Sequence, residues 1–328
     1  QDPLGNIWTT TYYSIRMLNT FISNIDNVYD LTAAEKRNWK AEAIAVKAFY
    51  YFELVRRYGP IVLVPKNIDV NADLAEMQIP RSHVDTCFNE IVRLLDEAIP
   101  DLLYGKERLI SHKLFLSKEG AMALKARVLL YQASPLFNGN AFYSDFKNKN
   151  GELLFNSTYD RNKWLLAAEA ADKAAEMCED GGRALVLGAT GKKTDLLNKM
   201  ADIENMSFSR FNNSEYLLEW KYPSTFYQFI LPRLVGDDDN FDSQALGCLS
   251  PSMKMVEMYY TANGLPIDAD ITWNYSNRYK LASESSPVYE GVIPMNIDVV
   301  NLHLRREPRF YACIAGDRMY WQRGTNTA

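Results

Sequence analysis

The chain has little of what most catalytic or nucleic-acid-binding proteins display. Among 328 residues there are three histidines, His83, His112 and His303, and none has a partner in an H-E-x-x-H pattern. They read as surface or structural groups, His83 as part of a helix cap. The four cysteines, Cys87, Cys178, Cys248 and Cys313, stand singly. Without a C-x-x-C pair, a zinc ribbon or dithiol redox site has no scaffold, and buried free thiols are expected, although an even count leaves disulfides open in an oxidising compartment. No G-x-G-x-x-G or G-x-S-x-G pattern occurs, so the usual dinucleotide loop and hydrolase elbow are missing. Gly188-Ala-Thr-Gly191-Lys-Lys-Thr194 has the wrong spacing for a phosphate loop and reads as a solvated basic turn. Positive charge is not in excess: 36 basic residues face 41 acidic ones, a formal net charge of -5, which gives no field for nucleic acid. Nothing calls for a cofactor or a metal. No apolar run approaches the roughly 18 residues that span a bilayer, and the opening QDPLGNIWTT has neither the basic start nor the apolar stretch of a signal peptide.

What is there is apolar and aromatic content, 47% and 12%, enough for a substantial core. The first half reads as long helices. Thr32-Ala-Ala-Glu35 is a capping box, followed by Ile44, Ala45, Ala48, Phe49, Phe52 and Val55 at helical spacing and a stop at Gly59-Pro60. Ser82-His-Val-Asp85 repeats the capping pattern ahead of Val84, Phe88, Ile91, Val92, Leu95 and Ile99. A further helix follows Ser117 with Ala121, Leu124, Val128 and Tyr131, and another runs from about Asp160 to about Cys178 with Trp164, Ala167, Ala171 and Ala175 as its packing stripe. Thr10 to Val28 is one more candidate. Small residues at four-residue steps beside a large one, as in Ala41, Ala45 and Phe49, let neighbouring helices approach closely, in the manner of degenerate tetratricopeptide-type hairpins.

After Gly181-Gly182 the pattern changes to short apolar runs, turns and many aromatics. Only Pro251 to Tyr260 reads there as a clear helix, with Ser250 as N-cap, Pro251 at the first helical position and Asn263-Gly264 beyond its end. The expectation is a helical half, 1–181, and an irregular half, 182–328, co-folded as one domain because no flexible linker separates them.

Asp237-Asp238-Asp239-Asn240 with Asp242 offers hard oxygen ligands but lacks the glycine and terminal glutamate of an EF-hand loop. It reads first as a solvated acidic loop, with calcium as the alternative. Two carboxylates suffice for a glycosidase, yet nothing singles out two among 41 acidic residues. The aromatics are more informative. Phe208 to Phe229 crowd one segment, with Tyr216, Leu218 and Trp220 alternating as in a strand, and Trp273, Tyr275 and Tyr279 crowd another. Rings combine an apolar face with a polar edge and stack on sugars or peptides, though most aromatics serve cores. Trp8, Tyr227, Trp273 and Tyr275 are the candidate ligand contacts.

Five stretches, in order, resemble the SusD/RagB family. AEAIAVKAFYYFELVRRYGPIVLV (41–64) is similar to its signature helix, Tyr-Gly-Pro turn and short apolar strand; IPRSHVDTCFNEIVRLLDEAIPDL (79–102) and SKEGAMALKARVLLYQASPLF (117–137) are similar to the two helices that follow. LSPSMKMVEMYYTANGLPID (249–268) resembles a helix with an Asn-Gly-Leu-Pro-Ile turn, and LRREPRFYACI (304–314) an Arg-Glu-Pro-Arg-Phe-Tyr segment. The resemblance implies a mainly α fold of tetratricopeptide-like helices packed against a loop-rich half with short strands. It implies a non-enzymatic protein that captures oligosaccharide or peptide for a TonB-dependent SusC-like transporter. Its place is the extracellular face of the outer membrane, held by an N-terminal lipid anchor absent from this chain. Family members are longer, so the chain is expected to be truncated at both ends. A tetratricopeptide-type interaction adaptor and a glycan-active enzyme are the alternatives.

Overall fold

The computed structural model describes residues 3–69, 71–109, 115–208, 213–217 and 247–320. These fall into two compact units, one running to Ala184 and taking in Leu217, the other holding the described residues of 185–216 and of 247–320.

The first unit is a stack of helices: α1 (Pro3–Asn24), α2 (Ala33–Tyr58), a single turn α3 (Leu74–Met77), α4 (Val84–Ala98), α5 (Lys118–Ala133) and α6 (Asn162–Asp180). The capping box at the start of α2 forms as its residues dictate. Thr32 Oγ1 accepts from Glu35 N and Glu35 Oε2 accepts from Thr32 N at 2.8 Å, an arrangement that contributes about 1 kcal/mol. Gly59 ends the helix at φ +68°, and a Cβ there would also lie 3.3 Å from the Phe155 ring. At α4 the N-cap is His83 rather than Ser82: the imidazole Nδ1 accepts from Asp85 N at 3.1 Å. Ser117 caps α5 as its position suggests.

The apolar stripes meet in one core. Phe52, Leu54 and Val55 of α2, Phe88, Ile91 and Leu95 of α4, and Ala121, Leu124 and Val128 of α5 are all buried in it. Edge-to-face pairs of Phe52 with Tyr131 and of Phe88 with Phe137, with centroids 5.1 and 5.0 Å apart, add geometric specificity to area burial. On α6 the stripe is rotated from the sequence expectation. Ala167, Ala170 and Ala174 pack on Met122, Leu129 and Ala133, while Trp164, Ala171 and Ala175 stay exposed. An alanine-rich helix carries two equivalent small-residue seams, and spacing alone does not choose between them.

After the Tyr-Gly-Pro turn the apolar segment Ile61–Val64 is extended but is no sheet strand. Two tyrosine hydroxyls stand in for a neighbouring strand. Tyr12 accepts from Val62 N and donates to Val62 O, and Tyr51 does the same for Val64, all within 3.0 Å. Asn19 Nδ2 donates to Val64 O, and buried Lys47 donates to Asn19 Oδ1 and Pro65 O. Burial raises the pKa of both phenols, which keeps them as neutral donors, and desolvation lowers that of Lys47.

The second unit is held differently. It contains α7 (Asp195–Phe208), α8 (Met253–Glu257), a two-residue antiparallel pair β1 (Leu281–Ala282) and β2 (Val299–Val300), and α9 (Pro308–Cys313). Helix α7 was not legible as a helix in the sequence. It buries Leu196, Leu197 and Met200 against Ile293, Phe310 and neighbours. Helix α8 is shorter than expected, with Ser252 as N-cap accepting from Met255 N, so Pro251 precedes the cap. Cys87, Cys178 and Cys313 are free thiols, of which only Cys87 is buried, where desolvation lifts its thiol to about 11. Tyr227, the acidic run 237–242 and the Leu218–Trp220 part of the expected strand lie outside the described residues.

Candidate ligand-binding site

The irregular unit leaves many backbone carbonyls and amides without helical or sheet partners, and buried side chains take them up. Arg306, 1% exposed, is the clearest case. Its guanidinium donates to four carbonyls, Val256, Tyr259, Tyr260 and Leu302, at 2.7 to 3.3 Å. It lies 4.5 Å from the Phe310 ring centroid and 5.7 Å from that of Trp273. No carboxylate pairs with it among the described residues, and burial lowers its pKa to about 10. The carbonyls of Val256 and Tyr259 sit at the end of α8, where helix dipole and orphan acceptors both favour a cation. The Asn-Gly-Leu-Pro-Ile turn is tied by Asp270, which accepts from Thr261 Oγ1, Asn263 Nδ2 and Thr272 N. These bonds hold its carboxyl well below the usual range, that from Thr261 first.

Arg306 and Asp270 together fix the segment that carries the exposed rings. Trp273 follows Asp270 and turns inward: it is 7% exposed and its Nε1 donates to Leu304 O at 3.0 Å. It anchors the loop. Two residues on, a 3-10 turn, Tyr275–Asn277, is capped by Asn274, whose Oδ1 accepts from Asn277 N. Tyr275, Arg278 and Tyr279 therefore stand at i, i+3 and i+4. The Arg278 guanidinium carbon lies 4.1 Å from the Tyr275 ring centroid and 4.4 Å from that of Tyr279. Arg278 Nε donates to Glu257 Oε1 at 2.6 Å, and the Tyr279 hydroxyl donates to the same oxygen. Those two bonds, the tyrosine's first, lower the Glu257 pKa. Tyr279 is nonetheless 54% exposed. The result is a ring platform with a charged edge: a flat apolar face beside a carboxylate acceptor and guanidinium donors, all pre-positioned.

Of the rings singled out from sequence, Tyr275 stands in this platform and Trp273 lies beneath its loop. Trp8 lies on α1 of the other unit, packed at 4.9 Å on Tyr12 and 5.1 Å on Tyr58, with the Arg81 guanidinium 5.2 Å from its ring. Glu257 and Arg278 escaped the sequence reading. Tyr-x-x-Arg-Tyr is a visible local spacing, but Glu257 comes from a helix 21 residues away.

The nucleotide-loop alternative has no room here. The N–H groups of Gly188 and Ala189 donate to the Asp202 carboxylate, at 3.3 and 2.7 Å, so an acid occupies the place of a phosphate. No group of three or more His, Cys, Asp or Glu among the described residues is placed to hold a metal. No helix among them is long and apolar enough to cross a membrane.

A mainly α protein of tetratricopeptide-like hairpins with an irregular, polar-tied second unit is a known architecture. The family model described as SusD-like, starch-binding associating with outer membrane, matches residues 1–130. The solved structure titled BT4246 is similar at 28% identity and a TM-score of 0.79, covering 95% of this chain and 54% of its own. A SusD-like protein, BF3747, and a SusD-like carbohydrate-binding protein, BF0978, both from Bacteroides fragilis, share the fold at 20% and 17% identity. Their TM-scores are 0.63 and 0.58, with 94% of this chain and 48% and 46% of theirs covered. The chain thus spans about half the length of the structures it matches. No curated protein matches it. Over residues 1–130 in sequence, and over nearly its whole length in fold, the chain is similar to SusD-like proteins.

Proposed function

We propose that the chain is part of a cell-surface binding protein without catalytic activity. It captures an oligosaccharide and passes it to a TonB-dependent SusC-like transporter, held at the outer membrane by a lipid anchor. The observation that carries the binding step is the platform of Tyr275, Arg278, Tyr279 and Glu257. A pyranose ring presents an apolar C–H face and a rim of hydroxyls. Tyr279 offers the first a flat surface, and the Glu257–Arg278 pair offers the second an acceptor and donors at fixed spacing. Because that pair is internally neutralised, it suits an uncharged glycan better than an acidic one. Kinship with SusD-like proteins supports the same reading, as does the carbohydrate-binding title of BF0978.

Calorimetric titration of the protein with pools of neutral oligosaccharides is the test. Binding is expected, and Tyr279→Ala is expected to weaken it by about 1 to 3 kcal/mol, the range for truncating an aromatic anchor. A folded protein that binds no glycan, or a variant that binds as well as the parent, would overturn the assignment.

A further inference from the structure

Six arginines among the described residues are buried or half-buried, and five of them have acceptors. Arg56, Arg108, Arg183 and Arg278 donate to carboxylates, and Arg306 to carbonyls. Arg81 is the sixth. Its guanidinium makes no hydrogen bond and no ion pair among the described residues. The backbone around it is pinned, with Asn148 Nδ2 donating to Arg81 O at 3.4 Å and Ser82 N to Ile61 O at 2.8 Å. Glu152, brought up by the same asparagine, accepts from Asn148 Nδ2 at 2.7 Å rather than from Arg81.

What holds the guanidinium is a ring. Its carbon lies 5.2 Å from the Trp8 ring centroid, a cation–π contact that leaves the N–H groups unused. Tyr12 and Tyr58 pack on the same indole at 4.9 and 5.1 Å, so Trp8 meets a ligand with its edge rather than with a free face. The indole N–H likewise has no acceptor among the described residues. The buried side-chain atoms without a partner there are Arg108 Nε and His303 Nδ1, so the N–H groups of Arg81 and Trp8 are open to solvent. A fixed guanidinium fork and an indole donor thus stand side by side in the helical unit, with no acceptor of the protein's own.

We propose that Arg81 and Trp8 form a second binding site, for a carboxylate carried on a sugar. The pair offers donors only, so the group it takes is an acceptor, and a planar carboxylate matches the guanidinium fork with two parallel hydrogen bonds. The indole needs a further acceptor beside it. A hexuronate has its carboxylate, ring oxygen and a neighbouring hydroxyl oxygen along one edge, whereas an aspartate or glutamate side chain brings the carboxylate alone. That the carboxylate arrives on a sugar rests on the glycan capture proposed above; that the pair takes a carboxylate does not.

Trigalacturonate and its methyl ester, titrated calorimetrically, provide the test, because the ester keeps the sugars and removes the charge. The acid is expected to bind roughly tenfold more tightly than the ester, the scale of hydrogen bonds to a charged group, and to weaken as salt rises. Arg81→Gln removes a guanidinium without hydrogen bonds, so the fold is expected to persist. It should abolish the preference for acid over ester and leave neutral-oligosaccharide binding, with its sensitivity to Tyr279→Ala, unchanged. Trp8→Phe keeps an aromatic ring and loses the donor, and acid binding should fall by about threefold. Equal binding of acid and ester, or a preference that survives Arg81→Gln, would overturn the proposal. So would acetyl-Gly-Glu-Gly-amide binding as tightly as trigalacturonate, which would give the site to an acidic peptide. Because Arg81 and Tyr279 answer to different ligands, failure of one site is told apart from failure of the other.

Discussion

The two units solve the same problem by opposite means. In the helical unit the core helices satisfy their own backbone groups, and the side chains that meet between them can be apolar: Phe52, Phe88, Ile91 and Leu95 lie in one hydrophobic cluster. In the second unit helices are short and only two residues pair on each strand, so buried side chains are recruited to satisfy backbone. Arg306 collects four carbonyls and Asp270 ties one turn. Glu284, 1% exposed, accepts from the amides of Ser285 and Ser286. The contrast extends into the helical unit itself. Its polar clamp of Tyr12, Tyr51, Asn19 and Lys47 sits at 61–65, where the chain is extended without a partner strand. Regularity of backbone, rather than position in the chain, decides where buried polar side chains are needed.

Arg306→Met puts that rule under the largest strain. Methionine fills much of the volume and keeps the apolar contacts with Phe310 and Trp273, but the carbonyls of Val256, Tyr259 and Leu302 lose their Arg306 donor together, while Tyr260 O keeps Glu307 N. A loss of about 3 to 5 kcal/mol is expected, since each orphaned buried acceptor costs on the order of 1 to 3 kcal/mol and relaxation recovers part of the sum. Chemical denaturation gives the total. Hydrogen exchange gives the place, with protection lost first around 253–313. If stability drops by less than about 1 kcal/mol, the carbonyls find other partners and the contrast drawn here is wrong.

A smaller effect is expected from Tyr51→Phe. The ring stays in the core, yet the Val64 N–H loses its acceptor, while Val64 O retains Asn19. The expected cost is about 1 to 2 kcal/mol. Neutrality of this substitution in denaturant unfolding would show that water replaces the hydroxyl and that the clamp is dispensable.

How far these features could be read beforehand follows from the same contrast. The helices at 33–58, 84–98 and 118–133 announce themselves, because apolar residues at three- and four-residue steps and local caps are short-range signals. On α6 Ala167 packs as its spacing suggests, but Trp164, Ala171 and Ala175 continue it as a stripe as regular as the true seam of Ala167, Ala170 and Ala174, and spacing does not choose between them. Helix α7 is not announced by its sequence because, among its described side chains, Leu196, Leu197 and Met200 alone are buried core, too few to set a period. Trp273 and Tyr275 were singled out for the same reason, exposed-looking aromatic content, yet the structure separates them. One indole is enclosed with its N–H on Leu304, while the neighbouring tyrosine faces Arg278. That fate depends on Asp270 and Arg306, which act from 3 and 33 positions away, so no local pattern in the sequence encodes it.

The mildest perturbation uses pH to probe the platform. Hydrogen bonds from Tyr279 and Arg278 depress the folded-state pKa of Glu257 below its ordinary 4.5. For an acid whose folded pKa is depressed, the stabilisation is complete above the unfolded value and is lost as pH falls through the folded one. Glycan affinity at the platform is therefore expected to stay level from neutral pH down through 4.5 and to decline only below it. Protonated Glu257 then no longer accepts from both partners and Tyr279 swings free. Glu257→Gln keeps the shape, removes the titrating group and should bind more weakly at neutral pH with a flat profile. An affinity that already declines well above pH 4.5 in the parent, or a decline that survives in Glu257→Gln, would move the titrating group elsewhere. The platform would then lose its claim to be the site where glycan meets this irregular unit.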